Sequence, residues 1–179
     1  MDTSTELIES SNMQSFVTLQ LAQQTYALPI APIVQVIPMV AITPIPQSEA
    51  FPLNTAIEGL INVRGTAVPV LNLRHYMGQP KARLQLHTPI VLVQANGHMM
   101  GLIVDRVSDV INFPEDRIMH PQDVLPEEFG SLPFLRGLLH MPDGIVLLLD
   151  LEHLTSLDQA QKLAQAVETE LATTVEQRH

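Results

Sequence analysis

The sequence contains no cysteine and no tryptophan, and basic residues are scarce. Without cysteine, the chain can form neither disulfides nor thiolate metal sites. Only 9 Lys and Arg residues stand against 19 Asp and Glu, for a formal net charge of −10. Nucleic acids and anionic membrane surfaces select basic footprints. We therefore expect no nucleic-acid partner and no cofactor that depends on thiolate ligands.

Aromatic residues make up only 4% of a chain that is 46% hydrophobic, so the predicted core is aliphatic. The 14 prolines argue against a helical bundle. Residues 10–48 carry no charge, but the five prolines among them would break a membrane-spanning helix repeatedly. The opening MDTSTELIES lacks the basic and apolar regions of a signal peptide. We expect a cytoplasmic protein without membrane insertion.

The most informative stretch is Gly59 to Gly78, GLINVRGTAVPVLNLRHYMG. It predicts two short apolar strands joined by a polar turn at Asn62, Arg64 and Gly65, where glycine can adopt a positive φ angle. The turn places Arg64 at the lip of a hairpin. Arg64 is either an ordinary turn cation or a binding residue on a rigid support.

The two halves of the chain resemble each other. A shift of 74 residues aligns Phe16 with Ile90, and a later shift of 78 residues aligns Gly59 with Gly137. The Leu-Asx-Leu triplets that begin at Leu71 and Leu149 also coincide. This repeat predicts a mainly β protein of two similar small five-stranded barrels packed together, because closed barrels remove unpaired strand edges.

The predicted boundaries follow the repeat. We expect a flexible N-terminus at 1–13, barrel subdomains at about 14–84 and 85–155, and a C-terminal helix at 156–179. The tail shows a narrow stripe of Ala, Val and Leu that could dock on a barrel or form a coiled coil.

Catalytic motifs are missing from the sequence. The seven histidines show no helical metal-site spacing, and neither a nucleophile elbow nor a phosphate-binding loop is present. Nothing in the pattern favours an enzyme, although a β-barrel enzyme or small-ligand module remains an alternative. No catalytic residue, no cofactor and no metal ligand is predicted.

Aliphatic residues occur where the strand pattern breaks. Val34 lies between Ile33 and Val36, so no single strand phase buries all three on one face. The same conflict occurs around Val107 and Val110 in the second half. These valines either fill the junction between the barrels or line a groove that receives a partner.

Several motifs of the sequence resemble those of a known family. The chain from about residue 14 to residue 155 is similar to CheW-like domains, the adaptors of bacterial chemosensory arrays. The similarity is carried by Gly59-Leu-Ile-Asn-Val-Arg-Gly65 with Val68-Pro-Val-Leu-Asn-Leu-Arg74. Further matches are Ile42-Thr-Pro-Ile-Pro46, Gly101-Leu-Ile-Val-Asp105 and Leu135-Arg-Gly137.

The resemblance implies two five-stranded barrels and a non-enzymatic role. It implies two partners, the regulatory domain of a CheA-type histidine kinase and the cytoplasmic tip of chemoreceptors, and a location peripheral to membrane receptor arrays. The hairpin residues and the valines match family positions at partner surfaces. The predicted partner-binding residues are Arg64, Gly59, Asn62, Gly65, Val34, Val36, Val107 and Val110.

Three positions depart from the family pattern. Val63 replaces a usual Leu, Asn72 replaces a usual Asp, and Val36 stands where the family often has Glu. The change at Val36 bears on partner choice. It leaves open an adaptor of a non-flagellar system, such as one controlling pili or surface behaviour. A separate alternative is that the chain is a fragment of a larger signalling protein.

Overall fold

A computed structural model describes residues 12–45, 56–80, 82–129 and 132–155 of the chain. Ten strands account for most of these residues, and the helices among them are short. The strands are β1 (Met13–Leu21), β2 (Gln24–Pro29), β3 (Ile33–Pro38), β4 (Ile57–Val63), β5 (Thr66–Asn72), β6 (Pro89–Ala95), β7 (His98–Ile103), β8 (Arg106–Pro114), β9 (Leu135–Met141) and β10 (Gly144–Leu149). The α-helices are α1 (Leu73–Tyr76), α2 (Pro121–Val124) and α3 (Leu151–Thr155).

The strands form two five-stranded mixed sheets. Sheet I has the order β8-β1-β2-β10-β9, and sheet II has the order β3-β6-β7-β5-β4. Replacing each strand of sheet I by its mate five strands away in the chain reproduces sheet II. The repeat is therefore present in the strand order, and the expected mainly β fold is confirmed.

The two sheets do not follow the two halves of the sequence. One compact unit, unit 1, combines the described residues of Met1–Ala31 and Val107–Asp150, and unit 2 combines those of Pro32–Arg106 and Leu151–His179. The structure thus corrects the expected subdomains at 14–84 and 85–155. Each half divides its strands between the sheets: its last three strands share a sheet with the first two strands of the other half, so β3 joins β6 and β8 joins β1.

This exchange is stabilised by one parallel pairing in each sheet. In sheet I, β10 runs parallel to β2 and pairs Leu147 with Tyr26. In sheet II, β5 runs parallel to β7 and pairs Leu71 with Leu102. Parallel neighbours require long connections, which the intervening strands of the repeat provide.

Each unit has its own aliphatic core. In unit 1 the core centres on Phe16, Leu139 and Leu148, and in unit 2 it centres on Ile61, Val68, Ile90 and Leu92. Full burial of one such side chain contributes about 1.5–3 kcal/mol. These residues match the apolar strand positions of the sequence pattern.

The two edges of each sheet are linked by the segment that follows the exchanged strand. After β3, Thr43 exchanges two backbone hydrogen bonds with Leu60 of β4, at 2.8 and 2.9 Å. After β8, Met119 makes the equivalent pair of bonds with Leu138 of β9, at 3.0 and 2.9 Å. Each bridge satisfies edge groups that an open sheet would leave unpaired and curls the sheet towards a closed barrel.

Parts of both chain ends lie outside the residues that the structure describes. Most of the predicted flexible segment 1–13 and the whole predicted helix 156–179 lie outside the described residues. Met13, which the prediction placed in the flexible segment, is the first residue of β1. The last described element, α3, belongs to unit 2, where the Asn96 side chain donates hydrogen bonds to the Glu152 carbonyl at 3.0 Å and the Thr155 hydroxyl at 3.1 Å.

Candidate functional site

The β4–β5 hairpin turns on two residues, Arg64 and Gly65. Val63 and Thr66 form the last strand pair, so these two residues make up the whole loop. Their φ angles are 50° and 83°, both positive. Two consecutive positive φ angles define a type I′ turn, whose twist matches that of the flanking strands. The predicted hairpin is present, and Arg64 lies at its tip.

Arg64 adopts a conformation that is unfavourable for its residue type. The left-handed region costs an ordinary L-residue about 1–2 kcal/mol, which explains why Asn and Gly usually occupy this turn position. The turn is held by Asn62, whose Oδ1 accepts a hydrogen bond from the Gly65 amide at 2.8 Å. The Arg64 side chain is exposed. The hairpin therefore presents an outward-facing guanidinium from a rigid turn whose backbone is strained at Arg64.

The equivalent hairpin of unit 1 has no cation at its tip. Pro142 and Asp143 connect β9 to β10, and Gly144 takes a φ angle of 142°. The fold therefore accepts a different turn at this position, and Arg64 is not required to form it.

Gly59 is a structural residue in this site. It is buried, and its φ angle is 152°. A Cβ atom here would overlap the Thr43 carbonyl and lie 2.9 Å from Ile42 Cγ2. Its repeat mate, Gly137, is similarly crowded by Ile118. Both glycines allow the bridging segment to approach the edge strand, so a partner could reach Gly59 only through its neighbours.

The two valines of β3 are exposed on an edge strand. The register between β3 and β6 shifts between Ile33 and Gln35, which makes Val34 the extra residue of a β-bulge. The bulge resolves the conflict of strand phase seen in the sequence. It leaves Val34 51% exposed and Val36 42% exposed, while Ile37 packs on the core of unit 2.

The corresponding valines of β8 lie in unit 1. Val110 is 60% exposed, and Val107 is half-buried. Under the shift of 74 residues, Val110 occupies the position of Val36. Beside it, the buried Thr18 hydroxyl donates to the Asp109 carbonyl at 3.1 Å and accepts from the Asp109 amide at 3.0 Å. This side chain completes the backbone pairing of β8 with β1.

The structure thus gathers Gly59, Asn62, Arg64 and Gly65 on one hairpin and places Val34 and Val36 on the opposite edge strand of the same sheet. Val107 and Val110 lie on an edge strand of the other sheet. The groove lined by both sets of valines stays a prediction.

The sequence pattern did not reveal an ion pair close to this hairpin. Arg74 Nε donates to both Asp105 carboxylate oxygens, at 2.7 and 2.9 Å, and Arg74 Nη1 donates to the Pro80 carbonyl at 3.0 Å. The hydrogen bonding that Arg74 donates to the Asp105 carboxylate raises the pKa of Arg74 above its usual value. Both residues belong to quoted motifs, but their separation of 31 positions concealed their contact.

Asn72, which departs from the family pattern, has a structural role. It is buried, its Oδ1 caps α1 by accepting from the His75 amide at 3.3 Å, and its Nδ2 donates to Glu58 Oε1 at 2.9 Å. A carboxylate in its place could not donate to Glu58, so the amide suits this neighbour.

A cleft of about 620 Å³ lies beside α2 and β9 in unit 1. Proline and leucine side chains line it together with His120, Arg136 and Asp150. It is where the alternative of a small-ligand module would have to be tested. Within the described ranges, no three His, Asp or Glu residues are grouped so that they could hold a metal ion.

The described part of the chain also contains no helix that could cross a membrane, since its longest helix has five residues.

Comparisons with known proteins agree on one family. The sequence model of the CheW-like domain matches residues 15–159. The chain is 25% identical over 152 residues to the chemotaxis protein CheW of Treponema pallidum, covering 83% of this chain and 85% of that protein. It is 30% identical over 88 residues to Protein PilI of Pseudomonas aeruginosa, covering 49% of this chain and 48% of that protein.

A solved structure shows the same fold. It is the crystal structure of the scaffolding protein TtCheW from Thermoanaerobacter tengcongensis, with a TM-score of 0.69 and 30% sequence identity. The match covers 82% of this chain and 94% of that one.

Proposed function

Because this chain belongs to the CheW-like domain family of non-enzymatic chemotaxis scaffolds, we propose that it couples chemoreceptors to a CheA-type histidine kinase. It would bind the kinase regulatory domain and the cytoplasmic tip of the receptors, so that changes in the receptor reach the kinase. The described residues carry no membrane-spanning helix. From its family we propose a cytoplasmic location at the periphery of receptor arrays.

The observation that best supports this proposal is the position of Arg64 at the tip of the β4–β5 hairpin. Its φ angle of 50° is one that Asn or Gly adopts at lower cost, although Ala22 takes a similar φ angle of 55°. The guanidinium is exposed and can donate two parallel hydrogen bonds to a carboxylate or to backbone carbonyls. We assign Arg64 the leading role in partner binding, with Asn62 and Gly65 fixing its position.

The exposed valines supply the apolar part of the proposed contact. Val34 and Val36 in unit 2, and Val110 in unit 1, each expose aliphatic surface on an edge strand, and such surface gains about 25 cal/mol per Å² when a partner covers it. Val107 is less accessible and would contribute through its backbone and its packing. Gly59 would act by shaping the hairpin.

A pull-down with purified components tests the proposal. The immobilised protein should retain a CheA-type regulatory domain and a receptor signalling fragment, and a Val34→Glu variant with unchanged thermal stability should retain less receptor. Retention of both partners at wild-type levels by Arg64→Asn and Val34→Glu variants would refute the site assignment.

The chemosensory system to which the protein belongs is a second question. Val36 in place of the family's frequent Glu, together with the likeness to Protein PilI, supports the alternative of a non-flagellar system. Affinity measurements decide between the two systems. The protein is titrated with the CheA-type kinase of each kind of system from one organism, and the cognate kinase should bind more tightly.

A further inference from the structure

Leu86 projects from unit 2 with 87% of its surface exposed, more than any other large hydrophobic residue among those described. It lies at the corner of a turn that is closed by two hydrogen bonds. The Thr88 amide donates to the Gln85 carbonyl at 3.0 Å, and the Gln85 amide donates to the Thr88 hydroxyl at 2.9 Å. Leu84, two residues earlier, packs against the core of unit 2. Leu86 is therefore held outward by an anchored turn.

A polar pocket of about 170 Å³ adjoins this turn, and Arg74, Arg83 and His87 contribute to its lining. The charge of Arg74 is balanced by Asp105, which accepts two hydrogen bonds from it. Arg83 is exposed, and no acidic side chain of the described residues forms an ion pair with it. Asp105 also lines the pocket, so its lining contains a paired Arg74–Asp105 couple, the exposed Arg83 and the apolar Leu84 and Ile103.

The sequence around the pocket has an unusual charge. Between Glu58 and Asp105 there is no acidic residue, and this stretch contains Arg64, Arg74, Lys81 and Arg83. The whole chain has a net charge of −10. An acidic partner would therefore be repelled by most of the protein and attracted to this region.

We propose that the turn Gln85–Thr88 and the adjoining pocket bind an acidic peptide segment of a partner protein, one that also carries a large apolar side chain. The pocket has room for a carboxylate and a few waters, each of which takes about 30 Å³. It is smaller than the roughly 300 Å³ or more of a usual small-molecule site. Arg83 pairs with the carboxylate, and Leu86 covers the apolar side chain. This surface does not include the Arg64 hairpin and does not depend on the proposed kinase and receptor contacts.

The probe is a fluorescein-labelled peptide in which glutamates flank a central Leu-Phe pair, added to the full-length protein and followed by fluorescence anisotropy. We expect saturable binding that weakens as salt is raised, because an exposed ion pair contributes to it. Arg83→Glu and Leu86→Ser should each weaken binding about tenfold or more, as expected for a central contact. Both side chains are exposed, so unchanged thermal melting would verify that the variants fold.

Two control variants and one control peptide complete the experiment. Arg117→Glu makes the same charge change at an exposed arginine of unit 1 and should leave the affinity near that of the wild type. Arg64→Asn should also leave peptide binding unchanged, so failure of the kinase proposal and failure of this one are distinguishable. A peptide with serines in place of Leu-Phe should bind about tenfold more weakly.

Amide chemical shifts of the ¹⁵N-labelled protein locate the contact. We expect the peptide to move the resonances of residues 83–88 and Asp105. The proposal is overturned if the wild type does not bind the peptide, if Arg83→Glu and Leu86→Ser bind as it does, if the serine peptide binds equally well, or if the shifts map elsewhere.

Discussion

Replacing Arg64 with asparagine should make the protein more stable and a poorer binder. The residue sits at the first central position of a type I′ turn with a φ angle of 50°. Asparagine tolerates this conformation well, and Asn-Gly is the pair that such turns favour. Unit 2 already contains this solution at Asn96 and Gly97, whose φ angles are 54° and 74°.

The magnitudes follow from the turn geometry. Relief of part of the roughly 1–2 kcal/mol left-handed penalty should stabilise the fold by about 0.5–1 kcal/mol. For a protein of this size, a gain near 1 kcal/mol raises the Tm by about 2–4 °C. Loss of an arginine hot spot costs about 2 kcal/mol of binding, equivalent to an affinity about 30-fold lower.

Two assays on the same preparation measure both effects. Thermal unfolding followed by circular dichroism gives the Tm, and isothermal titration calorimetry gives the Kd for a CheA-type regulatory domain. Gly65→Ala is the matched control. It keeps the guanidinium but forces a Cβ onto a φ angle of 83° with no atom within 4 Å, so the strain alone should cost about 1 kcal/mol of stability. Because the guanidinium is kept, its affinity should fall less than that of Arg64→Asn, although the turn that positions Arg64 is disturbed.

The Tm is therefore expected to rise for Arg64→Asn and to fall for Gly65→Ala. A lower Tm for Arg64→Asn would refute the claim that the turn is strained by arginine. An unchanged Kd for Arg64→Asn would refute the claim that the Arg64 side chain contributes to binding.

Three further substitutions test the fold that supports the site. Gly59→Ala should cost more than about 3 kcal/mol, measured by urea unfolding, because its Cβ would overlap the bridging backbone; a smaller loss would mean that the bridge can shift. Asn72→Asp should cost about 1–3 kcal/mol at neutral pH, since the donor to Glu58 becomes a second carboxylate, and equal stability in chemical denaturation would contradict that contact. Thr18→Val should cost about 1–2 kcal/mol and speed hydrogen exchange at the Asp109 amide, whereas Thr18→Ser should not.

The strands and their repeat could be predicted because alternating apolar residues and paired Gly-Leu and Leu-Asx-Leu sites are local features. The assignment of strands to sheets could not. An apolar strand such as β3 carries no mark of which neighbour it will join, and only the fold shows that it pairs with β6 rather than with a strand of its own half. The boundary near residue 84 was wrong for that reason.

The candidate site shows the same division. Arg64 at a hairpin tip was predictable from Asn62 and Gly65, but its own positive φ angle was not, since arginine rarely adopts one. The phase conflict at Val34 was visible in the sequence, and the bulge is its physical solution. The pairing of Arg74 with Asp105 depends on tertiary contact between α1 and the end of β7, which no local pattern encodes.

The most direct test of the adaptor proposal is a reconstitution of kinase, receptor fragment and this protein on vesicles. The amount of kinase that sediments with the receptor is measured with and without the protein. We expect the wild type to raise co-sedimentation of the kinase and Arg64→Asn to fail to do so despite its higher Tm. The account would be contradicted if as much kinase sedimented with the receptor without the protein as with it. It would also be contradicted if the Arg64→Asn variant raised co-sedimentation as much as the wild type does.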